Sequence, residues 1–283
     1  MVIHCSSFKD ITEKYRAIFF DAYGVLKSSD KVFNGVYALL SHLKKSGKPF
    51  FIISNDASES PKKIAERYFS KEHGEVISES NIVTSGMLAL KYLKQHCQGK
   101  NVAYLGPEDS AYYIEEAGNI CRPIGRVDDL GWPDVVMYLD DTGYDWQQSL
   151  NRLTNLIRKK KNLVLLSPNP DLVYPVKEGV NIATGALARM IELTGKVPFI
   201  YFGKPNIRIF DYTYALAQKD VKDLKRSEVL MVGDTLATDI AGAKAAGMHA
   251  LLVFTGNTTE ENYEDEAKEA GILPDYFSKS VLT

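Results

Sequence analysis

The stretch AIFFDAYG at residues 17–24 joins a short apolar run directly to an aspartate, and the rest of the chain repeats this pattern. Four consecutive apolar residues without polar alternation are typical of a strand that is buried on both faces of a parallel sheet. Further apolar runs alternate with helical patterns, which indicates βαβ units. The sequence therefore predicts an α/β fold. The other runs are residues 50–53, 102–105, 135–139, 163–166, 199–202, 229–232 and 250–254.

Two helices between these runs have readable ends. Ser60 is followed by Pro61, a helix cap and a proline at the first helical position, and this predicts a helix through about residue 69. An alanine-rich stretch predicts a second helix over about 235–246, closed by Gly247.

Polar residues directly follow four of the apolar runs. Within three residues of the ends of their runs stand Asp21, the triplet SND at 54–56, Lys204 and Asp234. In an open parallel sheet, ligands bind outside the carboxyl ends of the strands. Each of these residues could by itself cap a helix. Together they predict one crevice that holds two carboxylates, a hydroxyl, an amide and a lysine.

This set of side chains suits phosphoryl transfer. Two carboxylates supply the hard oxygen ligands that Mg²⁺ prefers, together with substrate phosphate and water. A lysine neutralises phosphate charge, and hydroxyl, amide and backbone N–H groups hold phosphate oxygens. A carboxylate nucleophile would form an aspartyl-phosphate and divide hydrolysis into two displacements.

The same segments resemble the four ordered motifs of the haloacid dehalogenase superfamily. They are DAYGVL at 21–26, SN at 54–55, GKP at 203–205 and GDTLATDI at 233–240, of which the last is the most specific. A long insertion between the second and third motifs resembles the type-II cap of subclass IIA. Within it, SPNPD at 167–171 and TGAL at 184–187 resemble the phosphatases related to NagD, phosphoglycolate phosphatase and pyridoxal phosphate phosphatase.

The resemblance implies a division of the chain. Residues 1–85 and 200–283 would form a three-layer, Rossmann-like core, and residues 86–199 would form an inserted α/β cap over its active crevice. The cap would choose the leaving group, and Asn169 and Asp171 are expected to shape that end of the pocket. Caps of this type often mediate dimers, so a homodimer is an open expectation.

The resemblance also implies metal-binding roles. Asp21 would be both the nucleophile and a Mg²⁺ ligand, and Tyr23 would contribute its backbone carbonyl. Asp234 would be the second carboxylate ligand, with Asp239 in support.

Phosphate-binding roles follow from the resemblance as well. Ser54, Asn55 and Asp56 would hold the transferring phosphate, and Lys204 would bridge phosphate and nucleophile. The expected substrate is a small phosphorylated metabolite, such as a sugar phosphate, a nucleotide monophosphate, phosphoglycolate or pyridoxal phosphate.

Tyr23 departs from the family pattern. Phosphatases of the family usually carry an aspartate at this position as general acid and then base. A phenol with an ordinary pKa near ~10 can donate a proton at neutral pH but accepts one poorly. The substitution predicts slow turnover, slow hydrolysis of the aspartyl-phosphate, or a preference for substrates with good leaving groups. It also leaves open a phospho-ligand-binding protein with weak catalysis.

A metal-free 2-haloacid dehalogenase is the other alternative, because DAYG also resembles the first motif of those enzymes. The insertion after the second motif, rather than the first, argues against it. So do the GDxxxTD pattern at 233–239 and the lack of an arginine soon after Asp21.

The bulk composition excludes some partners. With 34 basic and 36 acidic residues, no large charge field favours nucleic acid or an acidic membrane. No run approaches the ~18 apolar residues of a transmembrane helix, and the N-terminal residues lack the apolar core of a signal peptide. The scattered Cys5, Cys97 and Cys121 fit a reducing compartment, so we expect a cytoplasmic enzyme. Asp140 and Asp141 follow another apolar run and could bind a metal ion, but capping of a helix near 145–159 is the preferred interpretation.

Overall fold

The computed structural model describes residues 3–4, 7–29, 31–127 and 132–283. Cys5 lies outside these ranges, whereas Cys97 and Cys121 carry free thiols. Within the described residues, no helix has both the length and the apolar character needed to cross a bilayer.

A seven-stranded parallel sheet forms the larger part of the fold. Phe19 and Phe51 pack into one hydrophobic cluster, whereas their neighbours Phe20 and Phe50 pack into another on the opposite face. Because both faces are buried, the apolar runs need no polar alternation. This confirms the predicted α/β class. In spatial order the strands are Ile3–His4, Tyr276–Ser278, His249–Val253, Val229–Gly233, Ala17–Phe20, Phe50–Ser54 and Ile82–Thr84.

Helices cover both faces of this sheet and complete a three-layer, Rossmann-like core. Val36–Lys45 buries Leu40 in one cluster, and Ile207–Asp220 buries Phe210 in the other. The remaining helices around this sheet are Phe8–Thr12, Pro61–Glu66, Ser85–His96, Leu236–Ile240, Ala241–Ala245 and Tyr263–Ala270, with 3₁₀ turns at Glu79–Asn81 and Arg226–Glu228.

A five-stranded parallel sheet forms the second part of the fold. Trp146–Lys159 and Thr184–Gly195 place Leu153 and Ile191 in a common hydrophobic cluster against it. In spatial order the strands are Ile200–Tyr201, Val164–Ser167, Val135–Tyr138, Asn101–Leu105 and Ile120–Pro123; the part also contains the hairpin Val173–Val176 and Gly179–Ile182, the helix Tyr112–Glu115, and 3₁₀ turns at Glu108–Ala111 and Ile124–Arg126.

The apolar run at 199–202 belongs to this second sheet. Its strand Ile200–Tyr201 pairs in parallel with Leu166 and Ser167. The lysine that follows it therefore approaches the core from the cap side. The division into a core of residues 1–85 and 200–283 and a cap of 86–199 stays a prediction. By number this strand falls within the predicted core, although it pairs with the second sheet.

The predicted helix from Pro61 to about residue 69 is too long. It ends at Glu66, because Phe69–Ser70 pairs with Gly74–Glu75 in a short antiparallel hairpin. The predicted helix over 235–246 has one wide π-helical turn, Leu236–Ile240, followed by α-helix Ala241–Ala245.

The helix caps predicted at Asp140 and Asp141 are wrong. The side chain of Asp145 caps Trp146–Lys159 by accepting from the Gln148 N–H at 2.6 Å. Asp140 instead accepts from the N–H and hydroxyl of Thr142 at 2.9 and 2.6 Å, within a turn at the end of its strand.

Candidate active site

Two aspartates lie side by side at the carboxyl edge of the larger sheet. Ala17–Phe20 and Val229–Gly233 are adjacent strands, with Phe20 opposite Val232. The backbone N–H of Asp21 continues this pairing by donating to the Val232 carbonyl at 2.8 Å. Asp21 and Asp234, one residue beyond each strand, are therefore neighbours, and both are buried.

A third carboxylate completes a buried acidic cluster. Asp21, Asp234 and Asp239 each place one carboxylate oxygen within 4.8 Å of the other two. Oδ2 of Asp239 accepts from the backbone N–H groups of Asp234 and Thr235, both at 3.1 Å. Two backbone N–H groups directly before the wide turn Leu236–Ile240 thus orient the Asp239 carboxylate.

Lys204 is the cation of this cluster. Its ammonium group forms ion pairs with Asp21 and, at 2.7 Å, with Oδ1 of Asp239. The side chain is buried, which disfavours its charge, but the carboxylates of Asp21, Asp239 and Asp171 raise the pKa of Lys204 above the ordinary lysine value. Lys204 therefore stays charged at neutral pH.

Asn55 braces Lys204 rather than standing free in the cavity. Its Oδ1 accepts from the Lys204 N–H at 2.7 Å, and its Nδ2 donates to the Lys204 carbonyl at 3.1 Å. The same Nδ2 donates to Oδ1 of Asp171 at 2.8 Å. A contact between Asn55 and phosphate stays a prediction. The hydrogen bonds that Asn55 makes in the structure join the second core strand to Lys204 and to Asp171 in the predicted cap.

Ser54 and Asp56 form the turn after the second core strand. The Ser54 hydroxyl accepts from the Asp56 N–H at 3.2 Å. Oδ1 of Asp56 accepts from both the N–H and hydroxyl of Ser58, at 2.8 and 2.6 Å. This turn holds the hydroxyl and the carboxylate in the cavity wall.

Tyr23 takes the place of the usual family aspartate. Its hydroxyl donates to Oδ2 of Asp56 at 3.4 Å, and Nζ of Lys27 lies 4.1 Å from the centre of its ring. Burial, with a smaller contribution from the Asp56 charge, raises the pKa of Tyr23 above its ordinary value. The phenol therefore stays protonated at neutral pH and can donate a proton but not accept one.

A loop that the sequence interpretation missed holds Asp234. Oδ2 of Asp234 accepts from the Asn257 N–H at 2.6 Å, and a Cβ on Gly256 would lie 1.8 Å from that oxygen. The loop directly follows the strand His249–Val253. The strand-end argument applied to the run at 250–254 is the signal that could have found it.

The donor set fits a divalent metal ion. Burial raises the pKa of Asp21 to about 7 even though Lys204 opposes the rise. Burial and the charges of Asp21 and Asp239 also raise the pKa of Asp234. One ammonium group leaves three clustered carboxylates undercompensated, and hard carboxylate oxygens are ligands for a hard divalent cation.

The cluster opens into a cavity of about 370 Å³ between the two sheets. The cap wall includes Asp140, Asp141, Asn169 and Asp171. Burial raises the pKa of Asp171 to about 6. The structure brings all of the sequence-predicted site residues to this one cavity: Asp21, Tyr23, Ser54, Asn55, Asp56, Lys204, Asp234 and Asp239.

Comparison with known proteins agrees with this geometry. A family profile for haloacid dehalogenase-like hydrolases matches residues 18–119, and a second, HAD-hydrolase-like profile matches residues 201–282. The structure of a possible sugar phosphatase of the HAD superfamily from Cytophaga hutchinsonii aligns with a TM-score of 0.91 and 37% identity, over 99% of both chains.

Two further relatives carry named activities. The 5'-nucleotidase YutF of Bacillus subtilis is 25% identical over 90% of this chain and 93% of its own length. The acid sugar phosphatase of Staphylococcus aureus is 25% identical over 95% of this chain and 96% of its own length.

The site is that of a hydrolase in which an aspartate lies within a buried cluster of carboxylates. The chain belongs to the haloacid dehalogenase superfamily of hydrolases.

Proposed function

We propose that this chain is a Mg²⁺-dependent phosphatase that hydrolyses a small phosphomonoester through an aspartyl-phosphate on Asp21. The observation that most supports this proposal is the buried group of three carboxylates beside the ammonium group of Lys204. Asp21, Asp234 and the Tyr23 carbonyl would hold the metal, with Asp239 in support. The bound ion would neutralise phosphate charge and orient the ester.

The chain's own groups would carry both displacements. A carboxylate oxygen of Asp21 would attack phosphorus while the ester oxygen leaves and takes up a proton. Lys204, held by Asn55 at its backbone, would keep the nucleophile and phosphate from repelling each other. Water would then attack the phosphorus of the aspartyl-phosphate and restore the Asp21 carboxylate.

Tyr23 is the reason that slow turnover is expected of this enzyme. Its raised pKa makes the phenol a weak acid for the leaving group, and a phenol that keeps its proton cannot act as a base for the attacking water. The second displacement is therefore expected to be slow. The same feature supports the alternative of a phospho-ligand-binding protein with little catalysis.

Sugar phosphates are the first substrate class to test, because relatives in both comparisons are described as sugar phosphatases. A metal-free dehalogenase is disfavoured by the three-carboxylate cluster, which would leave a displaced halide facing negative charge. A cytoplasmic location and a homodimer stay predictions.

The test is phosphate release from a panel of sugar phosphates, nucleotide monophosphates and 4-nitrophenyl phosphate, with Mg²⁺ or EDTA. Glu178→Gln is a matched control because it removes one carboxylate from an exposed turn. We expect Mg²⁺-dependent release by the wild type and by Glu178→Gln, and none by Asp21→Asn. Binding of Mg²⁺ and phosphate without turnover would favour the binding protein.

A further inference from the structure

The wall of the cavity carries more negative than positive charge. Arg67 and Lys204 are the basic residues in its described wall, against nine carboxylate side chains. The carboxylates are Asp21, Asp56, Glu59, Asp109, Asp140, Asp141, Asp171, Asp234 and Asp239. The metal ion and Lys204 would compensate those nearest the nucleophile.

Other carboxylates of the wall have partners of their own. Arg67 forms an ion pair with Glu59 at 2.5 Å, and Lys63 forms one with Asp109 at 2.6 Å. Among the described residues, no ion pair reaches Asp56, Asp140 or Asp141. These three carboxylates line the cavity, so their charges act on whichever part of the substrate lies near them.

Asp140 and Asp141 are held in place by neighbouring donors. Thr142 donates twice to Oδ1 of Asp140, and the Tyr174 hydroxyl donates to Oδ2 of Asp141 at 3.4 Å. Burial raises the pKa of Asp140 to about 7, and the charges of Asp141 and Asp56 add to the rise. Asp140, Asp141 and Asp56 all line the same cavity.

We infer that this site accepts phosphomonoesters whose leaving group is rich in hydrogen-bond donors and carries no negative charge, and that Asp140 and Asp141 reject anionic leaving groups. The inference rests on the proposed phosphatase function and narrows its substrate class. Sugar and polyol phosphates fit, and so do phosphorylated amines. Phosphoglycolate and other phosphorylated carboxylates do not.

The physical reason is a mismatch of charge and hydrogen bonding. An ionised carboxylate can only accept hydrogen bonds, so hydroxyl and ammonium groups are its natural partners. A substrate carboxylate would lose its hydration and face like charges instead. A site built for donors discriminates strongly against an analogue that cannot donate, so we expect a selectivity of about tenfold or more.

Two pairs of esters isolate leaving-group charge at nearly constant size. Glycerol 3-phosphate and 3-phosphoglycerate differ by a terminal alcohol against a carboxylate. Phosphoethanolamine and phosphoglycolate differ by an ammonium group against a carboxylate. The measured quantity is the ratio of kcat/KM within each pair at pH 8, where Asp140 is mainly ionised. Esters that are not turned over are measured as competitive inhibitors of 4-nitrophenyl phosphate.

Asp140→Asn and Asp141→Asn keep the size of each side chain and remove its charge. We expect the wild type to prefer the uncharged or cationic member about tenfold or more, and the double variant to reduce that ratio to about threefold or less. Glu178→Gln removes a cap charge away from the cavity, so its ratio should equal that of the wild type.

Two results would overturn the inference alone. One is an equal kcat/KM of the wild type for both esters of a pair. The other is a kcat/KM ratio that the double variant leaves unchanged while it still hydrolyses 4-nitrophenyl phosphate. Failure of the wild type to release phosphate from any ester, including 4-nitrophenyl phosphate, would overturn the proposed function and this inference with it. The two failures are therefore distinguishable.

Discussion

Asp21→Asn should stabilise the metal-free protein while abolishing catalysis. Three carboxylates share a buried cluster with one ammonium group. Without a divalent ion, each ionised carboxylate loses hydration and repels the others. An amide in place of Asp21 removes one of these charges, and Lys204 keeps its ion pair with Asp239.

The magnitude follows from the pKa of Asp21, which burial raises from 3.8 to about 7. At about 1.36 kcal/mol per pH unit, this rise corresponds to roughly 4 kcal/mol spent on ionising Asp21 in the folded protein. That pKa already includes the attraction of Lys204. Burial of the Asn amide offsets part of the gain, so we expect a net gain of about 2 kcal/mol at pH 8. In a chain of this size that gain raises Tm by about 4–8 °C.

The raised pKa of Asp21 also makes the stability of the wild type depend on pH. Between about pH 4 and pH 7 the folded wild type keeps a proton that the unfolded chain has lost. The free energy of unfolding of the wild type therefore falls as the pH rises through this window. Asp21→Asn lacks this dependence, so its advantage in Tm should be small at pH 5 and largest at pH 8.

Thermal unfolding in EDTA and in saturating Mg²⁺ is the assay. Mg²⁺ at about 100 times its Kd should add about 2.7 kcal/mol to the wild type, and less to Asp21→Asn because a ligand is missing. Glu178 is exposed and is not part of the cavity wall, so Glu178→Gln should follow the wild type throughout. A lower Tm for Asp21→Asn in EDTA, or an undiminished Mg²⁺ shift, would refute the reasoning.

Two further variants test other parts of the site. Tyr23→Asp restores the family acid–base group. Because such groups contribute ~10²–10⁴-fold, steady-state kinetics should show a rise in kcat of about tenfold or more. No gain would mean that another group already performs the acid–base step. Gly24→Ala should cost about 1–3 kcal/mol and weaken Mg²⁺ binding, because Gly24 has φ +77° and an added Cβ would lie 2.4 Å from Oδ2 of Asp234. Gly47→Ala is its control for chemical denaturation and Mg²⁺ titration: it has φ +67° with open space around the added carbon, so it should reproduce the backbone strain and leave Mg²⁺ affinity unchanged.

Several site residues could be predicted because the rule behind them is local. Asp21 and Asp234 directly follow apolar runs, and adjacent parallel strands bring their carboxyl ends together whatever the loops do. The same rule would have found Asn257, had it been applied to the run at 250–254. The cap of Trp146–Lys159 was also readable, but Asp140 and Asp141 competed with Asp145 for the role, and only the backbone geometry of the turn decides among them.

The sequence by itself determined the α/β class, the strand ends and the chemical types at the nucleophile, since these depend on hydrophobic runs and on the residues next to them. The tertiary structure decided that Asn55 holds the backbone of Lys204, a contact across 149 positions. It also decided that Asp140 and Asp141 face the cavity. Such contacts depend on how two separately built sheets pack against each other, and that packing is set by many distant side chains at once.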